Sequence, residues 1–368
     1  MLNKALLPGY TTLGIINNGQ GARNLALEAR SAGFIVGMYT PYHDSNIAEL
    51  VDFVVEGSFN DAELLRSFIK RCDVVTYTGT VINDQLMHYL KASKKIPQGT
   101  EILDLIHDRS IQHAFLDMIH VKSVPYRTVV GLDDIRRGID IFGYPAILKP
   151  IQTSILNDRQ LIIHNHVDIS QAAGMLEVGT YVLEPELSQA RHFSVLIVKS
   201  KDGSLGQFPM VETHYHNNRM TWANACPDLA APVKQKLETE VKKVATQLHY
   251  IGGVEITLVC SKSRHIYVEG VKTPFDLASD LLIYNGLDIY QQALKALMGS
   301  TIHSPQVHIS GVVGRVNRSN YQDFQKLWLQ KAQLSLHIDR SSHFGSAFIM
   351  TGMPGITMKK LLADLKNR

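Results

Sequence analysis

Hydrophobic and polar positions follow two alternating periods along the N-terminal third of the chain. Leu13-Gly14-Ile15-Ile16 is a short apolar run, followed by the turn Asn17-Asn18-Gly19-Gln20-Gly21, after which Ala22, Leu25, Ala26 and Ala29 recur at helical spacing as far as Gly33. Apolar runs return at residues 34–39, 51–55 and 73–77, with a helical pattern over 61–70. Strands alternating with helices in this way predict a parallel, doubly wound sheet, hence an α/β arrangement.

Beyond Pro97 the texture becomes α+β. The spacing predicts helices over 104–118 and 132–141, an extended segment opened by Pro125, and a strand over 144–150 that ends at Lys149-Pro150. Strands follow at 181–186 and 193–198. Val233, Leu237, Val241, Val244 and Leu248 form one helical stripe with lysines and glutamates on the other face, the signature of core packing. The β-branched runs 253–259 and 265–270, separated by Ser261-Lys262-Ser263-Arg264, read as a hairpin. Short strands over 307–313 and 345–350 and a closing helix from Ile356 are expected in the tail.

With 368 residues, 45% of them hydrophobic, the chain has material for two or three domains with proper cores. Its 37 basic and 34 acidic residues give a formal net charge of +3 without a block of like charge, which argues against a nucleic-acid tail or a membrane patch. Cys72, Cys226 and Cys260 lie far apart and are odd in number, so neither a disulfide framework nor a metal-ligand spacing is expected. Pro8-Gly9 interrupts the first apolar run, and no run elsewhere is long enough to span a bilayer. A cytoplasmic protein is the expectation.

Candidate chemistry gathers at a few positions. Glu255 and Glu269 are carboxylates among apolar neighbours on paired strands, and a lone buried carboxylate costs several kcal/mol. They therefore either face solvent, pair with lysines, or hold Mg²⁺ against nucleotide phosphates, an ion that takes one or two protein carboxylates. Lys149 either snorkels to solvent or neutralises a phosphate. Glu184 stands where a strand runs into a proline-containing linker whose backbone suits an adenine edge. Arg109 serves a second phosphate or pairs with a neighbouring acid. The glycine turn containing Gly19 and Gln20 is either a phosphate-binding loop or a structural turn, since no acid marks the end of the second strand, where Thr40-Pro41 stands. The polar segment 212–219 reads as a surface loop or a contact for an anionic substrate. None of the 16 histidines falls into a zinc spacing.

Taken in order, several of these segments resemble one family. Thr12-Leu13-Gly14-Ile15-Ile16-Asn17-Asn18-Gly19-Gln20-Gly21-Ala22-Arg23 is similar to the GIIGGGQLGR opening of the N5-carboxyaminoimidazole ribonucleotide synthetases, the ATPase subunits of phosphoribosylaminoimidazole carboxylase. The resemblance continues through Cys72-Asp73-Val74-Val75-Thr76-Tyr77, Asp108-Arg109, Gly143-Tyr144-Pro145-Ala146-Ile147-Leu148-Lys149, Val182-Leu183-Glu184 and Tyr250-Ile251-Gly252-Gly253-Val254-Glu255. It implies an ATP-grasp fold with a Rossmann-like domain over 1–100, central and lid subdomains over 101–300 and a small C-terminal domain over 301–368, in a chain that is usually a homodimer. It further implies the ATP- and bicarbonate-dependent carboxylation of 5-aminoimidazole ribonucleotide in purine biosynthesis. Arg109 and Lys149 would then hold ATP phosphates, Glu184 the adenine hinge, Gly19 and Gln20 the substrate, and Glu255 and Glu269 the Mg²⁺.

The chain also departs from the family pattern. Thr153-Ser154-Ile155-Leu156-Asn157-Asp158-Arg159-Gln160 replaces the lid sequence GGYDGKGQ, and Val268, Thr273, Phe275 and Ser279 stand where asparagine, arginine and two histidines are expected. Thr78 and Thr80 replace an acidic pair, and His192 falls at the position of a ribose-contacting glutamate. Two functional readings follow: a synthetase of this type, or a divergent paralogue that binds a nucleotide or partner or ligates another acceptor. An NAD dehydrogenase is disfavoured because the ribose-binding acid is missing.

Overall fold

The computed structural model describes residues 7–16, 20–41, 48–78, 84–152, 160–187, 189–216, 219–225, 229–273, 277–338 and 345–349. Asn17, Asn18, Gly19, Thr80, the lid segment 153–159, Cys226, residues 274–276 and the expected closing helix lie outside them, and of Gln20 only the backbone is described.

The N-terminal strands β1 (Thr12–Ile16), β2 (Ile35–Thr40), β3 (Phe53–Glu56) and β4 (Val74–Tyr77) form the expected parallel sheet in the order β3-β2-β1-β4. Helix α1 (Gln20–Ser31) buries Leu25, Ala26 and Ala29 on one face of that sheet, while α2 (Ala62–Arg71) and α3 (Asp84–Ala92) bury Leu65, Phe68, Leu86 and Leu90 on the other side. Gly14 permits this packing, since a Cβ there would lie 2.5 Å from the Cys72 sulfur.

The helix expected over 104–118 is two helices, α4 (Glu101–His107) and α5 (Arg109–Met118). Asp108 breaks them by leaving helical geometry (φ −124°, ψ 111°) and capping α5, its carboxylate accepting from the backbone N–H groups of Ser110 and Ile111. The Arg109 N–H leaves the helix for the Ile151 carbonyl, 3.0 Å away, which pins the start of α5 to the chain just beyond Lys149.

A small antiparallel sheet follows, ordered β5-β8-β6-β7, from β5 (Arg127–Val129), β6 (Ala146–Pro150), β7 (Leu161–Ile163) and β8 (Tyr181–Pro185). Helix α6 (Leu132–Phe142) and helical turns over 168–176 cover one face, burying Ala146, Leu148, Ile163, Tyr181 and Leu183. Strand alternation leaves Ile147, Lys149, Val182 and Glu184 on the opposite face.

The large sheet is built on β9 (Arg191–Lys199), which also pairs β10 (Leu205–Gln207). The described residues of segment 212–219, expected as a loop, lie in strands: β11 (Val211–His216) pairs antiparallel with β12 (Arg219–Ala225). Val211 and Thr213 are buried while Glu212 and His214 are partly exposed, the period-two pattern that the charged composition masked. Helix α7 (Ala231–Gln247) buries the predicted stripe at Leu237, Val241 and Val244. The hairpin is present as β13 (Gly252–Cys260) and β14 (Ile266–Lys272), with Arg264 in the turn at φ 64°. Helices α8 (Leu277–Tyr284) and α9 (Ile289–Leu297) cover the opposite sheet face from α7.

The described strands of the tail continue this same sheet. They are β15 (Val312–Val316), β16 (Leu334–Ile338) and β17 (Gly345–Ile349), with α10 (Tyr321–Gln330) packed on them and a strand order β14-β13-β9-β11-β12-β15-β17-β16. The strand expected over 307–313 is displaced to begin at Val312, because Gly311 turns the chain at φ 99°.

Candidate active site

Helix α5 ties the two later sheets together. Arg109, Gln112 and His113 share one helical face by their spacing. The Arg109 guanidinium donates to the Pro150 carbonyl at 2.6 Å, the Gln112 amide donates to the Val271 carbonyl at 3.0 Å, and His113 Nε2 lies 3.2 Å from Glu184 Oε1. One helix thereby contacts the end of β6, the end of β14 and the middle of the small sheet.

On that sheet Glu184 stands opposite Ile147, so Lys149 is its diagonal neighbour on the same face. Lys149 Nζ lies 2.8 Å from Glu184 Oε2. The His113 ring is stacked on Tyr126, with centroids 3.8 Å apart and planes 11° from parallel, which fixes its approach to the other carboxylate oxygen. Burial alone would push the Glu184 carboxyl up; the Lys149 ammonium and the His113 hydrogen bond outweigh it and hold the carboxyl at about 2.

The hairpin presents the other two carboxylates differently. Glu255 pairs across the ladder with Lys272, and its side chain has no exposed surface. Oε1 accepts from the Ser194 hydroxyl on β9 at 2.6 Å and lies 3.1 Å from Lys272 Nζ. Of the readings open from sequence, Glu255 takes the lysine partner. Glu269 is displaced from the ladder: Thr257 pairs with Gly270 and Leu258 with Val268, leaving Glu269 as the extra residue of a β-bulge. The bulge lets Val268 and Val271, three residues apart, both enter the core, and it re-aims the glutamate. Glu269 keeps 28% of its side-chain surface, and its Oε2 lies 3.2 Å from His192 Nδ1. Burial opposes its ionisation, but the hydrogen bond and charge of His192 hold the carboxyl below its ordinary value. His192 is pushed down by its own burial and raised further by Glu269, for a net upward shift.

The small and large sheets meet electrostatically here. Lys149 acts on both Glu269 and His192, and Glu184 opposes the charge of Glu269. Tyr215, whose ring meets His192 edge-on at 5.5 Å, has its hydroxyl pushed up to about 12, chiefly by burial, with Lys272, Glu269 and Glu255 all contributing to the field. Lys149, Glu184 and Glu269 thus come together, Glu255 joins them through Lys272 and Tyr215, and Arg109 lies beside Pro150. His113 and Ser194 join the cluster without any signal in the sequence beyond ordinary strand and helix periodicity, whereas Tyr215 comes from the polar segment 212–219 that the sequence offers as a surface loop or an anionic-substrate contact.

Tested against magnesium, the donors are of the right kind, hard carboxylate oxygens. Glu269 fits: it is partly open and stands off the ladder. Glu255 fits less well, because its Oε1 already receives a hydroxyl and an ammonium.

Residues 10–107 match the ribonucleotide synthetase preATP-grasp domain, and residues 114–271 match the ATP-grasp domain. The chain therefore carries an ATP-grasp domain preceded by a ribonucleotide synthetase preATP-grasp domain. Among curated relatives of this ATP-grasp chain, the N5-carboxyaminoimidazole ribonucleotide synthase of Bacillus subtilis (strain 168) is 26% identical over 268 residues, covering 73% of this chain and 70% of the relative. That of Staphylococcus aureus (strain MRSA252) is 25% identical over 260 residues, 71% and 69% of the two chains. A solved ADP complex of N5-carboxyaminoimidazole ribonucleotide synthetase has a TM-score of 0.89 at 19% identity, covering 100% of this chain and 98% of that one. The enzyme from Aspergillus clavatus, solved with ADP and 5-aminoimidazole ribonucleotide, has a TM-score of 0.83 at 17% identity, with 97% and 99% covered. At these identities the solved structures establish the ATP-grasp fold.

Proposed function

We propose that this chain is a carboxyaminoimidazole ribonucleotide synthetase-type ATP-grasp protein of de novo purine biosynthesis, a cytoplasmic homodimer that carboxylates 5-aminoimidazole ribonucleotide at the expense of ATP and bicarbonate. The observation that carries the reading is the run of curated relatives bearing this name over about 70% of their length. The charge of Lys149, which reaches Glu269 as well as its own partner Glu184, supports it.

Phosphoryl transfer to bicarbonate depends mainly on positioning and on neutralising phosphate charge. Lys149 and Arg109 border the phosphate end, where Lys149 is the point charge and Arg109 fixes the chain at Pro150. Glu184 anchors Lys149 and leads into residues 185–187, whose backbone is the adenine-edge candidate. Gly19 and Gln20 are assigned to the ribonucleotide. A magnesium ion, when bound, supplies charge neutralisation at the phosphates, and Glu269 is the residue best placed to hold it.

A second reading, a paralogue that binds a nucleotide or partner without this ligation, draws on one observation: Lys149, Lys272 and His192 each already face a carboxylate of the chain itself. Release of ADP from Mg-ATP and bicarbonate, measured with and without 5-aminoimidazole ribonucleotide, separates the two. Stimulation by the ribonucleotide is expected; its absence in folded protein would remove the synthetase reading.

A further inference from the structure

Glu255 and Glu269 lie on adjacent strands, yet they are prepared for different cations. A carboxylate that takes a divalent ion must present an oxygen with room for it. Glu269 does so, since the bulge lifts it from the ladder and 28% of its side chain is exposed. Glu255 is wholly buried, and Lys272 is its direct partner across the ladder, so backbone pairing itself delivers the ammonium to within 3.1 Å of Oε1. Ser194, from the neighbouring strand on the other side, fixes that same oxygen at 2.6 Å. Lys272 keeps 32% of its side-chain surface and acts on Tyr215 together with both glutamates, so its charge reaches the cluster rather than being confined to one pair. A cation already seated at a buried carboxylate repels a second one, and its removal would leave that carboxylate uncompensated.

We infer that Lys272 is the built-in counter-ion of Glu255, standing where a second divalent ion would otherwise be bound, so that a nucleoside diphosphate enters this site with a single divalent ion held through Glu269. The inference rests on the nucleotide site proposed above. Its consequence is chemical: one of the charges that neutralises the phosphates is a fixed ammonium supplied by the chain.

The ion count tests it. Purified protein is saturated with ADP and titrated with Mn²⁺, with free Mn²⁺ followed by electron paramagnetic resonance and ADP affinity by calorimetry. Wild-type protein is expected to bind one Mn²⁺ per chain in the ADP complex. Lys272→Met should bind two, with ADP affinity at limiting Mn²⁺ weakened about tenfold, the effect of losing one charge-assisted contact. Lys272→Arg, which keeps the charge, should retain a count of one. Two ions in the wild type, or an unchanged single ion in folded Lys272→Met, would overturn the inference while leaving the nucleotide site standing. Should Lys272→Met fail to fold, Lys272→Gln replaces it, and the wild-type count decides independently of either variant. ADP binding in none of the proteins would remove the nucleotide reading itself.

Discussion

Glu184 and Glu269 are both carboxylates beside a basic group in the same cluster, and the contrast between them lies in how completely each is compensated by the chain itself. Glu184 is closed on both sides. Lys149 takes one oxygen, the stacked imidazole of His113 takes the other, and the side chain is only 7% exposed. Among the described residues Glu269 is ion-paired with His192, feels the charge of Lys149 at longer range, and keeps an open flank created by the bulge. A fully compensated buried carboxylate has little left to offer a ligand, but breaking its compensation is expensive. A partly compensated one costs less to the fold and can exchange its partner for a substrate or an ion.

The largest break in this contrast should come from Lys149→Met. It leaves Glu184 buried with only His113, and the expected loss is about 3 kcal/mol of unfolding free energy, read by urea denaturation. A midpoint equal to that of the wild type would mean that the pair contributes nothing net to stability.

Acid should expose the same site more gradually. The Glu184 carboxyl is held at about 2 against an ordinary 4.5. A depressed carboxylate contributes stability that is present above its unfolded value and is lost as pH falls toward the folded one, here between 4.5 and about 2. The contribution is on the order of 3 kcal/mol, and Glu184→Gln should flatten that limb of the stability profile. His192 works in the opposite sense and more weakly: its raised value gives stability that is present below 6.5 and is lost as pH rises through the folded value. His192→Asn should remove that shallow alkaline decline. A profile with the same slope in both variants as in the wild type would contradict the assigned directions.

Legibility in the sequence followed the range of the interactions. The doubly wound sheet, the α7 stripe and the β13–β14 hairpin rest on local periodicity, and each appears where the apolar pattern predicts it. The break at Asp108 left a local trace, an acidic residue followed by the two N–H groups it caps, but the helical period runs through it on both sides. Segment 211–216 alternates as a strand should, with its charged and aromatic residues masking the period. The site itself was only partly readable. His113 and Glu184 are 71 positions apart, and His192 and Glu269 are separated by 77, so no window of sequence joins them. The bulge at Glu269 is one extra residue in a ladder, which has no signature in a run of β-branched side chains, yet it decides which glutamate is open. Lys272 meets Glu255 through register, a property of the whole hairpin rather than of either residue.

The most direct test is a paired one: Mg-ADP titrated into Glu184→Gln and Glu269→Gln, with the unfolding free energy of each variant measured alongside. Glu184→Gln is expected to lose stability by about 2 kcal/mol, since it leaves a half-buried ammonium without its partner. Glu269→Gln is expected to weaken Mg-ADP binding at least tenfold, since even the outer-shell partners of metal ligands are worth about that much, while its unfolding free energy stays within about 0.5 kcal/mol of the wild type. Equal losses of stability and affinity in both variants would show that the two carboxylates play one structural role, and that neither opens the cluster to a nucleotide.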